Sequence, residues 1–289
     1  MKSFSFTASP MYPRKNTITP AHMSNTLQKI TSQDTWIQGP SGLLFARRWS
    51  PEKPNVLAPI FLFHDSLGSV ELWRNFPAQL CAHTGRQVIA YDRLGFGQSD
   101  ANHTKLSLDF IAKEAEGDFA AVRQQLDIGR FILFGHSVGG GMAVNCAVRY
   151  GADCVALITE SAQAFVEDKT IQGLEEARDL FKDLGQFARL KKYHGEKADW
   201  VLDAWINTWL NPAFASWSLK PVLPQLKCPV LVIHGRDDEY GSPQHPALIG
   251  QLAGGVSQIE VMADTRHVPH REREYVVICM VADFLLPFA

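Results

Sequence analysis

Phe131-Ile132-Leu133-Phe134-Gly135-His136-Ser137-Val138-Gly139-Gly140 is the stretch on which the fold turns. Its four leading apolar residues read as a buried strand, and the small residues from Gly139 onward read as a helix. Between them, Gly135 to Gly139 fits G-x-S-x-G. In a strand–turn–helix setting this pattern predicts a sharp turn that holds the Ser137 hydroxyl over the end of a sheet. Only small residues fit two before and two after such a serine, and Gly135 and Gly139 stand there. A glycine-rich helix start capped by a serine would use similar residues; the apolar strand ahead of it favours the turn.

Outward from this turn, apolar runs at residues 59–64, 87–92, 154–159, 229–234 and 258–262 read as further strands. They alternate with helical patterns over 76–84, 106–126 and 272–285. The long pattern at 106–126 sets Ile111, Ala115, Phe119, Val122 and Leu126 on one side. Such alternation implies an α/β fold: a mostly parallel sheet with helices on both faces. Residues 35–37 and 43–49 flank Gly39-Pro40-Ser41-Gly42 and read as an antiparallel hairpin, which gives the sheet a mixed edge. Residues 165–219 break the alternation. They show helical patterns at 173–184, 187–194 and 197–210 and no strand, so they read as a helical cap inserted in a core formed by 31–164 and 220–289. Residues 1–30 are rich in Ser, Thr, Pro and Asn and read as a disordered arm. Met23 is an alternative start, and the basic, acid-free arm also fits an organelle transit peptide.

The composition excludes several classes. With 28 Lys and Arg against 30 Asp and Glu, no basic field is available for a nucleic-acid backbone. No apolar run is long enough to cross a bilayer, and no apolar segment follows the basic residues near the start as in a secretory signal. The five cysteines are dispersed and odd in number, which argues against a disulfide framework and for a reducing, cytoplasmic setting. Neither H-E-x-x-H nor a cysteine pair occurs, so no metal and no cofactor are expected. The expected partner is a small-molecule substrate, with neither nucleic acid nor membrane, for a monomer or homodimer.

A serine hydroxyl needs a base, and in this fold the chain order is serine, acid, histidine. After the strand at 229–234 comes Gly235-Arg236-Asp237-Asp238-Glu239. The third residue past the glycine turn aims back at the sheet end, which selects Asp238 over Asp237, read as a turn cap, and Glu239, read as solvated. Glu160 is an outside candidate. After the last strand comes Thr265-Arg266-His267-Val268-Pro269-His270. His267 is preferred as base, because Pro269 opens the next helix and carries His270 away. The oxyanion hole needs two preset N–H groups. Val138, next to the nucleophile, supplies one, and Ser66 in His64-Asp65-Ser66-Leu67-Gly68 supplies the other, with the Asp65 side chain turned away onto loop N–H groups. Asp92-Arg93-Leu94-Gly95-Phe96-Gly97-Gln98-Ser99 lacks dinucleotide spacing and reads as a structural turn. Trp205 and Trp209, one helical turn apart, either line the pocket or glue cap to core.

Over residues 35–289 this pattern resembles the α/β-hydrolase superfamily, on His64–Gly68, the D-x-x-G-x-G-x-S turn at 92–99, the elbow at 135–139, the acid loop at 235–238 and His267. The resemblance implies an eight-stranded sheet, a helical cap and hydrolysis through an acyl-enzyme. Two positions depart from it: Asp65 stands where the oxyanion loop usually has glycine, and Arg266 where glycine usually precedes the base. Asp65-Ser66-Leu67-Gly68 with Trp73 is similar to enol-lactone hydrolases, which often carry Asn-Ser-Leu-Gly there. Haloalkane dehalogenases and epoxide hydrolases use Asp at the Ser137 position. The expected activity is hydrolysis of a carboxylic ester or lactone of a small apolar substrate, as in carboxylesterases. A C–C hydrolase, thioesterase or lyase would use the same residues, and a non-catalytic small-molecule-binding homologue is the reading from another class.

Overall fold

A computed structural model of the chain describes residues 29–53 and 55–288; the arm expected at 1–30 lies almost wholly outside them. Its eight strands are β1 (Ile30–Gln38), β2 (Leu43–Pro51), β3 (Ile60–Phe63), β4 (Val88–Tyr91), β5 (Phe131–His136), β6 (Cys154–Glu160), β7 (Val230–Gly235) and β8 (Ser257–Met262). They form one sheet in the order β1-β2-β4-β3-β5-β6-β7-β8. The β1–β2 and β2–β4 pairings are antiparallel and the rest parallel. The helices are α1 (Phe76–Thr84), α2 (Phe110–Lys113), α3 (Asp118–Gln125), α4 (Val138–Arg149), α5 (Asp168–Leu180), α6 (Leu184–His194), α7 (Ala198–Trp209), α8 (Gln244–Leu252), α9 (Pro269–Glu272) and α10 (Glu274–Leu285). Among the described residues, no helix is long and apolar enough to cross a membrane.

Side chains alternate across the sheet as period-2 strands require. Along β5, Phe131 and Leu133 face the layer of α3, α4 and α8, where Phe119, Val122 and Ile249 are buried. Ile132 and Phe134 face α1 and α10, where Phe76, Leu80, Val277 and Val281 are buried. Burial on both faces is why the parallel strands read as unbroken apolar runs.

Four features differ from the sequence reading. The helix expected over 106–126 is two short pieces, α2 and α3: the chain breaks at Gly117 (φ −97°, ψ −115°), and the buried Glu114 reaches the Tyr91 hydroxyl. The apolar positions Ile111, Ala115, Phe119 and Val122 still point inward, which is why the periodicity looked continuous. β1 is nine residues long and begins at Ile30, inside the stretch read as arm. Its Ser32, Gln33 and Asp34 are exposed on an edge and carry no apolar signal. α8 has no counterpart in the sequence reading, since Pro243 and Pro246 look like breakers although they sit at its opening turn. α5 starts at Asp168, five residues earlier than its expected start.

Residues 165–219 leave the sheet after β6 and return before β7. Their ends meet: Phe165 and Ser218 form an isolated antiparallel bridge, and Leu219 N–H donates to Ala164 O at 2.8 Å. The strand order reverses between β3 and β5, so the loops leaving their carboxyl ends diverge and open a crevice there. Ser66 and Ser137 stand on its two sides.

Candidate active site

The turn after β5 is held by close approach of backbone to backbone. A Cβ on Gly135 would lie 2.2 Å from Gly139 O, and one on Gly139 would lie 2.3 Å from Phe63 O. Neither position can hold a side chain without moving main chain. Ser137 therefore sits at φ 56°, ψ −125°, a conformation that L-residues rarely adopt, anchored by its N–H to Glu160 O at 2.9 Å. This geometry aims Oγ off the end of the sheet.

The structure brings the three expected side chains together. His267 Nε2 lies 3.0 Å from Ser137 Oγ, and its Nδ1 lies 2.9 Å from both carboxylate oxygens of Asp238. With Nδ1–H donating to Asp238, Nε2 carries the free lone pair that faces the serine. Asp238 is fully buried and also accepts from the N–H groups of Tyr240 (2.8 Å) and Gly241 (3.1 Å). Burial pushes its carboxyl up, but the charge and hydrogen bond of His267, with His234 and the Tyr240 N–H, outweigh this and bring it to about 2. Burial pulls His267 down, and the charge and hydrogen bond of Asp238, together with Asp65, raise it above its ordinary 6.5.

The neighbouring carboxylates take other places. Asp237 is exposed, with its backbone N–H on Thr265 O. Glu239, read as merely solvated, accepts from the His267 N–H at 3.2 Å and lines the cavity, so it helps to hold the histidine loop. Glu160 and His270 pair with each other, Nδ1 to Oε2 at 2.5 Å, under Trp73 and Phe76. With His136 they form a buried group whose donor atoms lie within 4.8 Å of one another. A 2.5 Å separation is a hydrogen bond, closer than two ligands of one tetrahedral ion stand. His136 also hydrogen-bonds through Nε2 to the His267 carbonyl at 2.8 Å, tying the serine loop to the histidine loop.

Opposite the histidine, the Asp65–Ser66 peptide is pinned from behind. Asp65 O accepts from Arg93 Nη2 (2.7 Å) and Gly68 N–H (3.3 Å), and lies 2.8 Å from His64 Nδ1. In a trans peptide the next N–H points the other way, so Ser66 N–H is held facing the cavity. Among the described residues, neither Ser66 N–H nor Val138 N–H has a protein acceptor. The Asp65 side chain turns onto Leu67 N–H at 3.0 Å and stands 3.4 Å from His136 Nδ1. Burial pushes that carboxyl up; His136 and the charge of Arg271 pull it well below the usual carboxylate range.

A cavity of about 290 Å³ opens on Ser137 and His267. Leu67, Leu72 and Val268 form its core side, and Thr170, Leu174, Trp205 and Trp209 close it from α5 and α7. Trp209 also packs edge-on to Phe214 and Trp217, so it both lines and glues. Three residues here carry no sequence signal. Tyr240 packs against the His267 and Trp205 rings. Gln163 places its amide oxygen 3.3 Å from Ser137 Oγ. Arg93 sits inside a turn that reads as purely structural.

Residues 58–198 match a family model described as the alpha/beta hydrolase fold. The chain has the α/β-hydrolase fold. It is similar to the AB hydrolase superfamily protein YisY of Bacillus subtilis, 27% identical over 69% of this chain and 81% of that protein. It is also similar to a non-heme chloroperoxidase of Streptomyces lividans, 26% identical over 68% of this chain and 79% of that protein. Among solved structures, the enol-lactonase of Burkholderia xenovorans LB400 superposes with a TM-score of 0.67 at 20% identity, over 87% of this chain and 99% of that one. At that identity the likeness speaks for the hydrolase fold alone.

Proposed function

We propose that the chain is a serine hydrolase that cleaves a carboxylic ester or lactone of a small apolar acid. The observation that carries this reading is the line Asp238–His267–Ser137, with contacts of 2.9 and 3.0 Å, ending at a serine whose oxygen opens on the cavity. Ser137 Oγ attacks the carbonyl carbon as His267 Nε2 takes its proton. Asp238 stabilises the imidazolium. The N–H groups of Ser66 and Val138 receive the developing oxyanion; loss of one such donor typically raises a barrier by ~3 kcal/mol. His267 returns the proton to the leaving alcohol, and water repeats the sequence on the acyl-enzyme. The apolar lining from Leu67, Leu72, Leu174 and Trp205 supports an apolar acyl group rather than a sugar or phosphate.

The test treats purified protein with an organophosphonate ester, and separately with acyl esters of graded length, lactones and thioesters. Stoichiometric labelling of Ser137 and turnover of at least one ester or lactone series are expected, both lost in Ser137→Ala. Wild-type protein that is never labelled and turns over no substrate would overturn the reading in favour of a binding protein. Turnover of thioesters alone would correct the bond that is cleaved.

A further inference from the structure

One buried charge beside the site has no partner of opposite sign. Arg93 is 6% exposed, and among the described residues no carboxylate forms an ion pair with its guanidinium. Burial pulls its pKa down, but a guanidinium keeps its charge inside a protein. Glu114, Asp65 and Asp118 act on it from farther off, and each is engaged elsewhere. Glu114 meets the Tyr91 hydroxyl, Asp65 accepts from Leu67 N–H, and Asp118 accepts from Leu94 N–H. A lone charge taken out of water is costly to keep. The groups around it are neutral: its Nε and backbone N–H donate to His64 Nε2 at 3.3 Å, Nη1 donates to Met142 Sδ at 2.9 Å, and the guanidinium lies 4.5 Å over the Phe96 ring.

The shortest of its bonds to oxygen runs to the oxyanion loop, from Nη2 to Asp65 O at 2.7 Å. Burial, and then the charge of Arg93, hold His64 well below its usual range, so that ring is neutral. With its Nε2 accepting from Arg93, its proton sits on Nδ1 and is donated to the same Asp65 oxygen at 2.8 Å. A carbonyl that accepts a charge-assisted bond draws electron density from its own amide, so Ser66 N–H becomes a stronger donor. Ser66 and Val138, the residues that carry both donors, line one void of about 10 Å³ together with Arg93. Adding the Nη2 contact, the width of the peptide and one further hydrogen bond puts the cation ~8 Å from an oxyanion. At an effective dielectric of ~20, one unit charge acting on another at that range amounts to roughly thirtyfold in rate.

We infer that Arg93 is a positioning residue whose unpaired charge backs the oxyanion hole, fixing the Asp65–Ser66 peptide and strengthening its N–H as negative charge arrives. The inference rests on the serine-hydrolase reading above. As the bond from Ser137 Oγ to the carbonyl carbon forms, the C=O π pair moves onto oxygen and the serine proton passes to His267 Nε2. The new negative charge is the counter-charge that Arg93 lacks in the resting protein. The carbonyl of the bound ester is uncharged, so the benefit falls on the transition state and not on binding.

The experiment reads kcat and KM for a butyrate ester, and the Kd of butylboronic acid, whose tetrahedral adduct with Ser137 carries the same negative charge. Arg93→Ala should lower kcat by about thirtyfold and weaken the boronate by a similar factor, with KM within about threefold of wild type. Arg93 also lines a chamber of about 350 Å³ with the exposed Lys105 and Lys113, which gives small solutes access to the space the substitution leaves. Guanidinium chloride below denaturing concentration should therefore restore part of the lost kcat, and urea, a neutral molecule of the same shape, should not. Arg93→Lys, which keeps the charge, should retain more kcat and boronate affinity than Arg93→Met. Circular dichroism checks folding, and the Lys and Met pair decides the matter where Arg93→Ala does not fold. Equal rescue by urea, or equal losses in the Lys and Met variants, would reduce Arg93 to packing and overturn the inference. So would a loss confined to KM, or a kcat in Arg93→Ala within about threefold of wild type; both leave the serine-hydrolase reading standing. If wild-type protein is neither labelled by an organophosphonate nor active on any ester, that reading fails and takes this one with it.

Discussion

At the turn under Ser137, main chain touches main chain: a methyl on Gly139 would stand 2.3 Å from Phe63 O, and the serine is held at φ 56° because nothing around it can give. The opposite wall is made otherwise. α5 and α7 meet the cavity through Thr170, Leu174, Trp205 and Trp209, the two tryptophans packing edge-on against Tyr240, Phe214 and Trp217. In the proposed reaction the floor holds atoms where a proton has to move, with tolerances of tenths of an ångström. The roof shapes a volume, which many combinations of apolar side chains can do. Changes in the floor should therefore strike rate and fold, and changes in the roof should strike selection.

The largest effect is expected from Asp238→Asn. Losing the carboxylate that sets the His267 tautomer should lower kcat by about 10⁴-fold, while Asp237→Asn, on an exposed side chain, stays near wild type. Steady-state kinetics on the best ester decide this, and equal losses would mean that the acid is misassigned. Gly139→Ala comes next. The added Cβ meets the main chain of Phe63 and His64 at the end of β3, so an unfolding free energy lower by about 3 kcal/mol or more is expected in a urea titration. A stability within about 0.5 kcal/mol of wild type would show that the floor yields after all.

Much of that floor is legible in the sequence because its constraints are local. G-x-S-x-G after an apolar run forces the elbow, Asp238 sits at a fixed offset from a glycine turn, and His267 follows the last strand in an order this fold imposes. The residues that escaped reading act across the chain. Arg93 reaches back 28 positions to Asp65, Gln163 comes 26 residues after Ser137, and His136 bonds to a carbonyl 131 residues away. Nothing in their own surroundings signals those contacts. At 106–126 the apolar spacing is read correctly, but the chain turns over 114–117, where Glu114 meets Tyr91, a contact that only the folded chain makes.

Two smaller effects sharpen the contrast. Trp205→Ala should raise KM for the preferred ester by about tenfold and flatten acyl-length preference, with Ser137 still labelled by a small phosphonate. Unchanged KM with lower stability would make Trp205 a glue residue. In wild type, kcat/KM should fall on the acid side with a midpoint above 6.5. The neutral form of His267 is the one required, and its pKa is raised, so activity is present above that pKa and lost as pH drops through it. Asp238 at about 2 stays ionised throughout. Trp205→Ala should leave this midpoint within about 0.3 pH unit of wild type, while Asp238→Asn moves it downward. A Trp205 variant that shifts the midpoint would show that roof and floor are not separable.

The bridge between Phe165 and Ser218 gives the roof a property of its own. Because the 55 or so residues between begin and end at one doorway, they form a plug-in unit with a two-wire connector. A different helical segment ending in the same pair of extended residues could be spliced there without disturbing the order of β6 and β7. For protein engineering, the hydrogen-bonded pair Ala164 and Leu219 marks the cut sites at which one such segment can be exchanged for another while the Ser137 turn is left in place.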